Sequence, residues 1–199
     1  MTRDRLAALA VASGPIILLV GILWHPFIPN LTDNADVVAH LQEDTTAWFG
    51  AHFLIALGSA FLLLGFLAAR AIAPLVVGST MFTMLPAMEI GMLAVHEVGG
   101  DLLATQNALD TWFVPILLVS AFLLAVGTIM FAVGVKRADI LPAGLSRTVT
   151  VAFVVSAVSR VPFTAALMAG IVALVVAMLP LAATMWKAGT ASTRATATT

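Results

Sequence analysis

The stretch Thr148 to Trp186, TVTVAFVVSAVSRVPFTAALMAGIVALVVAMLPLAATMW, is apolar almost throughout. As one α-helix it would run about 58 Å at 1.5 Å per residue, against a hydrocarbon core of about 30 Å. It therefore has to fold back on itself. The credible break is Ser159-Arg160-Val161-Pro162, so two spans are expected to meet there, over residues 141–159 and 163–186. The first must begin near Leu141-Pro142 to be long enough. A five-span alternative, with a re-entrant segment near residues 141–160, is open at this point.

The rest of the chain has the same character. Hydrophobic residues make up 61% of it, charged residues 10%, and mean hydropathy is +1.09, well above the apolar share of about half found in soluble domains. Further spans are expected over residues 6–24, 48–69, 74–98 and 112–135. The fold class is thus all-α, a polytopic transmembrane bundle of six helices in one domain over 1–187. The Ala/Thr-rich segment 188–199 is expected to be a disordered cytoplasmic tail. Arg3 and Arg5 before the first apolar run give it the charge order of a signal peptide, but its length and the absence of a small-residue cleavage site favour a span. Pro26 and Pro29 stop that helix, and an acidic segment over 25–47 follows. Within it Asp33 is placed to cap a short surface helix whose apolar side is Val37, Val38 and Leu41.

Lys and Arg are retained on the cytoplasmic side of a bilayer. With both termini cytoplasmic, Arg3, Arg5, Arg70, Lys136, Arg137, Arg147, Lys187 and Arg194 fall at or near that side. Only Arg160 is left outside, where lipid phosphate is its default partner. Arg147 would have to snorkel from inside a helix. Trp24, Trp48, Trp112 and Trp186 each fall at an expected helix end, the level amphipathic rings prefer. The pairs Gly14/Gly21, Gly58/Gly65 and Gly127/Gly134 are each spaced to lie nearly on one helical face and to allow close backbone approach.

Several functions are excluded or unsupported. No cysteine is present, so disulfides, thiolate metal sites and cysteine nucleophiles are impossible. No basic run occurs, so nucleic acid is not a partner. A phosphate-binding glycine loop, a nucleophile elbow and HExxH are all missing, which leaves any enzymatic activity uncertain.

The residues that stand out are Glu89 and the histidines. Glu89 is the one acid placed inside a hydrocarbon layer, where an ionisable group is costly and marks a functional site by default. Burial there disfavours the charged carboxylate, so a protonated Glu89 is expected. His96, seven residues on, lies on the same face, with Met92 between them. His25 ends the first helix and His52 lies one turn inside the second, so His25, His52 and His96 share one side of the membrane with His40. Heights along neighbouring helices put His52 level with Glu89 and His96 above both. Imidazoles from different helices at one depth are how bundles build haem or transition-metal sites, which makes His25, His52, Glu89 and His96 the candidate ligands. Interfacial histidines satisfied separately are the plain alternative. Met81, Met84, Met88 and Met92 form a stripe that suits adaptable packing better than copper. Pro86 removes a backbone donor just before Glu89 and is expected to kink its helix.

With WHP at 24–26, the acidic loop helix, Trp48-x-x-x-His52 and LPAGLSR at 141–147, the chain resembles a group of small six-helix inner-membrane proteins of Ala-rich bacteria. That group has no assigned activity, so the resemblance implies architecture and location only. Three functions remain in competition. They are an outer-leaflet His/Glu site for haem or a metal, a non-catalytic subunit or scaffold packed on a membrane-protein partner or another copy, and a small proton-coupled transporter using Glu89.

Overall fold

In a chain this apolar, backbone N–H and C=O groups are best satisfied within helices, and the computed structural model is helical accordingly. It describes residues 3–69 and 72–197, so the turn expected at Arg70 lies outside the described residues. The helices are α1 (Arg3–Trp24), α2 (Asn34–Glu43), α3 (Thr45–Ala68), α4 (Ala73–Glu97), α5 (Leu102–Arg137), α6 (Ala143–Val158) and α7 (Thr164–Ala197). Five of them, all but α2 and α6, are long and apolar enough to cross a membrane. α6 is apolar but, at 16 residues, about 24 Å long. Against the six full spans expected, the described residues hold five helices of spanning length and, in α6, a shorter apolar helix.

Capping explains the polar starts. Asp33 accepts from the Asp36 amide, Asp44 from Ala47, and Asp101 from Ala104, opening α2, α3 and α5. α2 buries Val37, Val38 and Leu41, the side expected of it. One expectation is corrected: α5 begins ten residues before Trp112, because the Asp101 cap starts the helix ahead of the apolar run. α7 extends over Thr164–Ala197. Proline interrupts nothing: α4 is continuous through Pro86, as α1, α5 and α7 are through Pro15, Pro115 and Pro180.

α1, α3, α4, α5, α6 and α7 pack in that order, and α7 returns to pack on α1, closing a ring around one continuous apolar core. At one end of the ring the Arg5 guanidinium lies 5.2 Å over the Trp186 ring, tying α1 to α7. At the other end, Leu31 N–H donates to the Pro162 carbonyl and the Thr164 hydroxyl donates to that of Ile28. The segment after α1 is thereby fixed to the link between α6 and α7. Above this end a second core of Ile28, Val37, Val38, Leu41, Trp48, Met92 and Leu102 joins α2 to the start of α5. Asn34 Nδ2 donates to both Asn107 and Asp110 at 2.8 Å across the same junction.

Glycine sets how closely the ring closes. A Cβ on Gly58 would lie 2.5 Å from the Leu18 nitrogen, and one on Gly14 2.7 Å from the Leu62 nitrogen, so α1 and α3 touch backbone to backbone. Gly127 meets Leu75 of α4 in the same way, at 2.6 Å. Gly134 faces open space, so that member of the expected pairs has no packing role. Gly58→Ala is expected to lower stability by about 1–3 kcal/mol through overpacking. Gly134→Ala should cause no loss. Thermal unfolding of the two purified variants beside the parent checks this, and equal behaviour would refute it.

Candidate functional site

The site grows from the first turn of α3. Trp48 is only 1% exposed, packed within the protein, and its indole N–H donates to the backbone carbonyl of Glu89 at 3.2 Å. That bond fixes the register of α3 against α4. One turn on, His52 directs Nδ1 at the Trp48 carbonyl at 2.8 Å, and its ring lies 4.5 Å from the Trp48 ring. From α1's end His25 completes the cluster, 4.8 Å from His52 and 5.4 Å from Trp48 between ring centroids. Its Nδ1 meets the Pro26 carbonyl at 2.6 Å.

A carbonyl oxygen only accepts, so in both imidazoles Nδ1 carries the proton. In the neutral ring the lone pair is then on Nε2. Neither Nε2 has a hydrogen-bond partner among the described residues. Glu89, on α4, accepts at Oε1 from the amide of Gln106 at 3.2 Å, while its Oε2 is buried with no partner. Gln106 is itself 1% exposed and its own Oε1 is unpartnered. His25, His52, Glu89 and Thr164 share the wall of a cavity of about 100 Å³, otherwise formed by apolar side chains such as Ile22, Ile55, Phe82 and Phe113.

Three of the four expected site residues are thus brought together, with His52 and Glu89 lining one cavity as their equal heights required. His96 is not among them. It is half-buried near the end of α4 and does not line the cavity, being about 10 Å along the helix from Glu89. His40 bonds to Asp36 on its own helix. The methionine stripe disperses, with Met92 buried in the second core and Met84 exposed. No three His, Asp or Glu side chains among the described residues come together to hold a metal ion. The His25 and His52 rings are in mutual contact, which leaves no slot between them for a haem macrocycle.

Sequence reasoning missed two residues here. Gln106 was passed over because hydropathy begins the helix at Trp112; the spacing Leu102, Gln106, Leu109, Phe113 after a capping Asp was the signal available. Arg160 was assigned to lipid phosphate. Its side chain instead turns inward, lining small cavities with Leu18, Ser59, Phe82, Leu124 and Leu174 from five other helices. A charged group so placed costs several kcal/mol unless compensated.

Set against known protein families, curated proteins and solved structures, the chain matches none.

His25 lies just past the end of α1, and burial holds its imidazole below the ordinary 6.5; the Pro26 carbonyl opposes this and His40 adds to it. The unfolded chain therefore takes up a proton near pH 6.5 that the folded chain refuses, so stability falls as pH drops below about 6.5. His25→Phe, which keeps the ring contacts, is expected to reduce the loss of thermal stability between pH 7.5 and 5.5. An unchanged pH profile would show that His25 does not carry it.

Proposed function

We propose that this chain is a six-span protein of the bacterial inner membrane, of the small multi-pass group it resembles, with both termini cytoplasmic and α6 as the short sixth span. The closed ring of six helices, the short links between successive helices, and Lys136 and Arg137 in the last turn of α5 support this. The chain has no native cysteine, so single cysteines report topology without background. Glu43→Cys and Glu97→Cys are expected to react with an impermeant thiol reagent from outside intact spheroplasts, and Arg137→Cys only after lysis. Labelling of position 137 in intact cells would reverse the orientation.

In that orientation the cavity opens at the outer side of the membrane, and we read it as a binding site for a small apolar molecule carrying one or two hydrogen-bond donors. The observation that carries this is the pair of imidazoles. His25 and His52 each have an Nε2 lone pair without a hydrogen-bond partner among the described residues and line an otherwise apolar cavity, while the indole N–H of Trp48 and the hydroxyl of Thr164 are already engaged. A ligand that supplies donors relieves the unpartnered acceptors, and the hydrocarbon wall takes its apolar body. Of two probes alike in shape, 4-propylphenol is expected to raise the unfolding temperature of the purified protein saturably, and 4-propylanisole, which has no donor, is not. His52→Phe and Glu89→Leu should each weaken the phenol effect about tenfold or more, the loss of one good hydrogen bond to a buried partner. Equal effects of the two probes would overturn the reading.

One observation favours a second reading. Imidazoles whose Nδ1–H is fixed by a carbonyl, with Nε2 free, are prepared as metal ligands are. His25 and His52 would then hold a transition-metal ion with non-protein ligands completing its shell, with Glu89 the nearest carboxyl group on the cavity wall. Zn²⁺-dependent stabilisation that vanishes in His25→Phe, with no response to phenol, would favour this reading over the first.

A further inference from the structure

Inside the helix ring lies a partly buried cation, Arg160, with no acidic side chain paired to it among the described residues. Arg160 follows the end of α6, and the pairing of Leu31 with Pro162 and of Asn30 with Phe163 holds the link so that the guanidinium enters the ring. It lines three cavities of about 20 Å³ each, bounded by residues of α1, α3, α4, α5, α6 and α7. One guanidinium nitrogen donates to Ser156 Oγ at 3.5 Å, a long contact, and Nε is buried with no partner. No Asp or Glu lines any of the three cavities, and Arg160 forms no ion pair among the described residues. Glu89 belongs to the histidine cavity, whose apolar wall shares Ile22, Ile55, Phe82, Leu117 and Leu167 with these cavities.

Arginine cannot shed its proton at any pH a cell reaches. The hydroxyls of Ser59 and Ser79 face the first of these cavities, but each already donates to a carbonyl of its own helix. They can offer the guanidinium only a neutral lone pair. The C-terminal end of α6 supplies about half a negative charge at most. A net positive charge is left in apolar surroundings, and the space beside it is of the size that holds one or two waters. That excludes phosphate, a lipid headgroup or an organic acid.

We propose that Arg160 is the core of an anion site within the ring, occupied by a monatomic anion of the chloride class. The anion sits against Nε and the terminal nitrogens, and the Ser156 and Ser159 hydroxyls complete its surroundings. The site adjoins the histidine cavity, but neither Arg160 nor Ser156 nor Ser159 lines that cavity.

The test uses the full-length protein purified in detergent with gluconate as the only anion. Added chloride or bromide is expected to raise the unfolding temperature saturably, while gluconate at equal ionic strength does not. Arg160→Gln should lose that anion-specific rise completely, and Ser156→Ala should shift its midpoint to higher halide by severalfold. Should Arg160→Gln fail to accumulate, crystals of the unaltered protein grown in bromide provide the second measurement. An anomalous peak within hydrogen-bonding distance of the guanidinium is expected. Water alone beside Arg160 in bromide, a halide response absent from the unaltered protein, or one retained in Arg160→Gln would each overturn the proposal.

Discussion

The rest of the structure depends on the contact between α1 and α3, where Gly14, Gly21, Gly58 and Gly65 let two backbones meet without side chains between them. In hydrocarbon, apolar side chains gain nothing by leaving lipid for protein, so helices associate through dispersion at close range, and small residues provide it. The site inherits that closeness. His25 follows the end of one of these helices and His52 lies in the second turn of the other, and their rings touch because the helix axes are as near as glycine allows. Any side chain at Gly58 would act on the site from about two turns away, by spreading the helices that carry it.

α4 is held to this pair by a different means. The indole of Trp48 bonds to a backbone carbonyl in the middle of α4, which no substitution on α4 short of proline at a nearby position would abolish. Backbone recognition by a buried donor sets height along the helix axis. This is why Glu89, and not His96, is the side chain that α4 delivers to the cavity.

Hydropathy made the spans legible, and Asp33 with Val37, Val38 and Leu41 made α2 legible, because both depend on local pattern alone. The height of Glu89 relative to His52 was also readable, since rise per residue is fixed once two helices are antiparallel neighbours. What stayed hidden depended on partners distant in sequence. Trp48 has the composition of an interfacial residue and is buried by Ile28, Val37 and Leu102, residues of three other segments. Arg160 looked exposed because it lies between two apolar runs; its direction is set by Asn30 and Leu31, far away in the chain. Gln106 fell below the hydropathy threshold although it is more buried than most of the apolar residues of its helix.

The second core, over the end of the ring, is assembled from widely separated parts of the chain: the segment after α1, α2, the first turn of α3, the last turns of α4 and the start of α5. During synthesis from the N-terminus, α2 emerges long before Leu102, Asn107 and Asp110, the residues it joins. It cannot settle until the hairpin of α3 and α4 is already in place and α5 has begun. The amide that bonds Glu89 arrives in the same step. The carboxyl group of α4 is therefore without its protein partner for as long as α5 is unmade, and the cap and the site are completed by the same segment of chain.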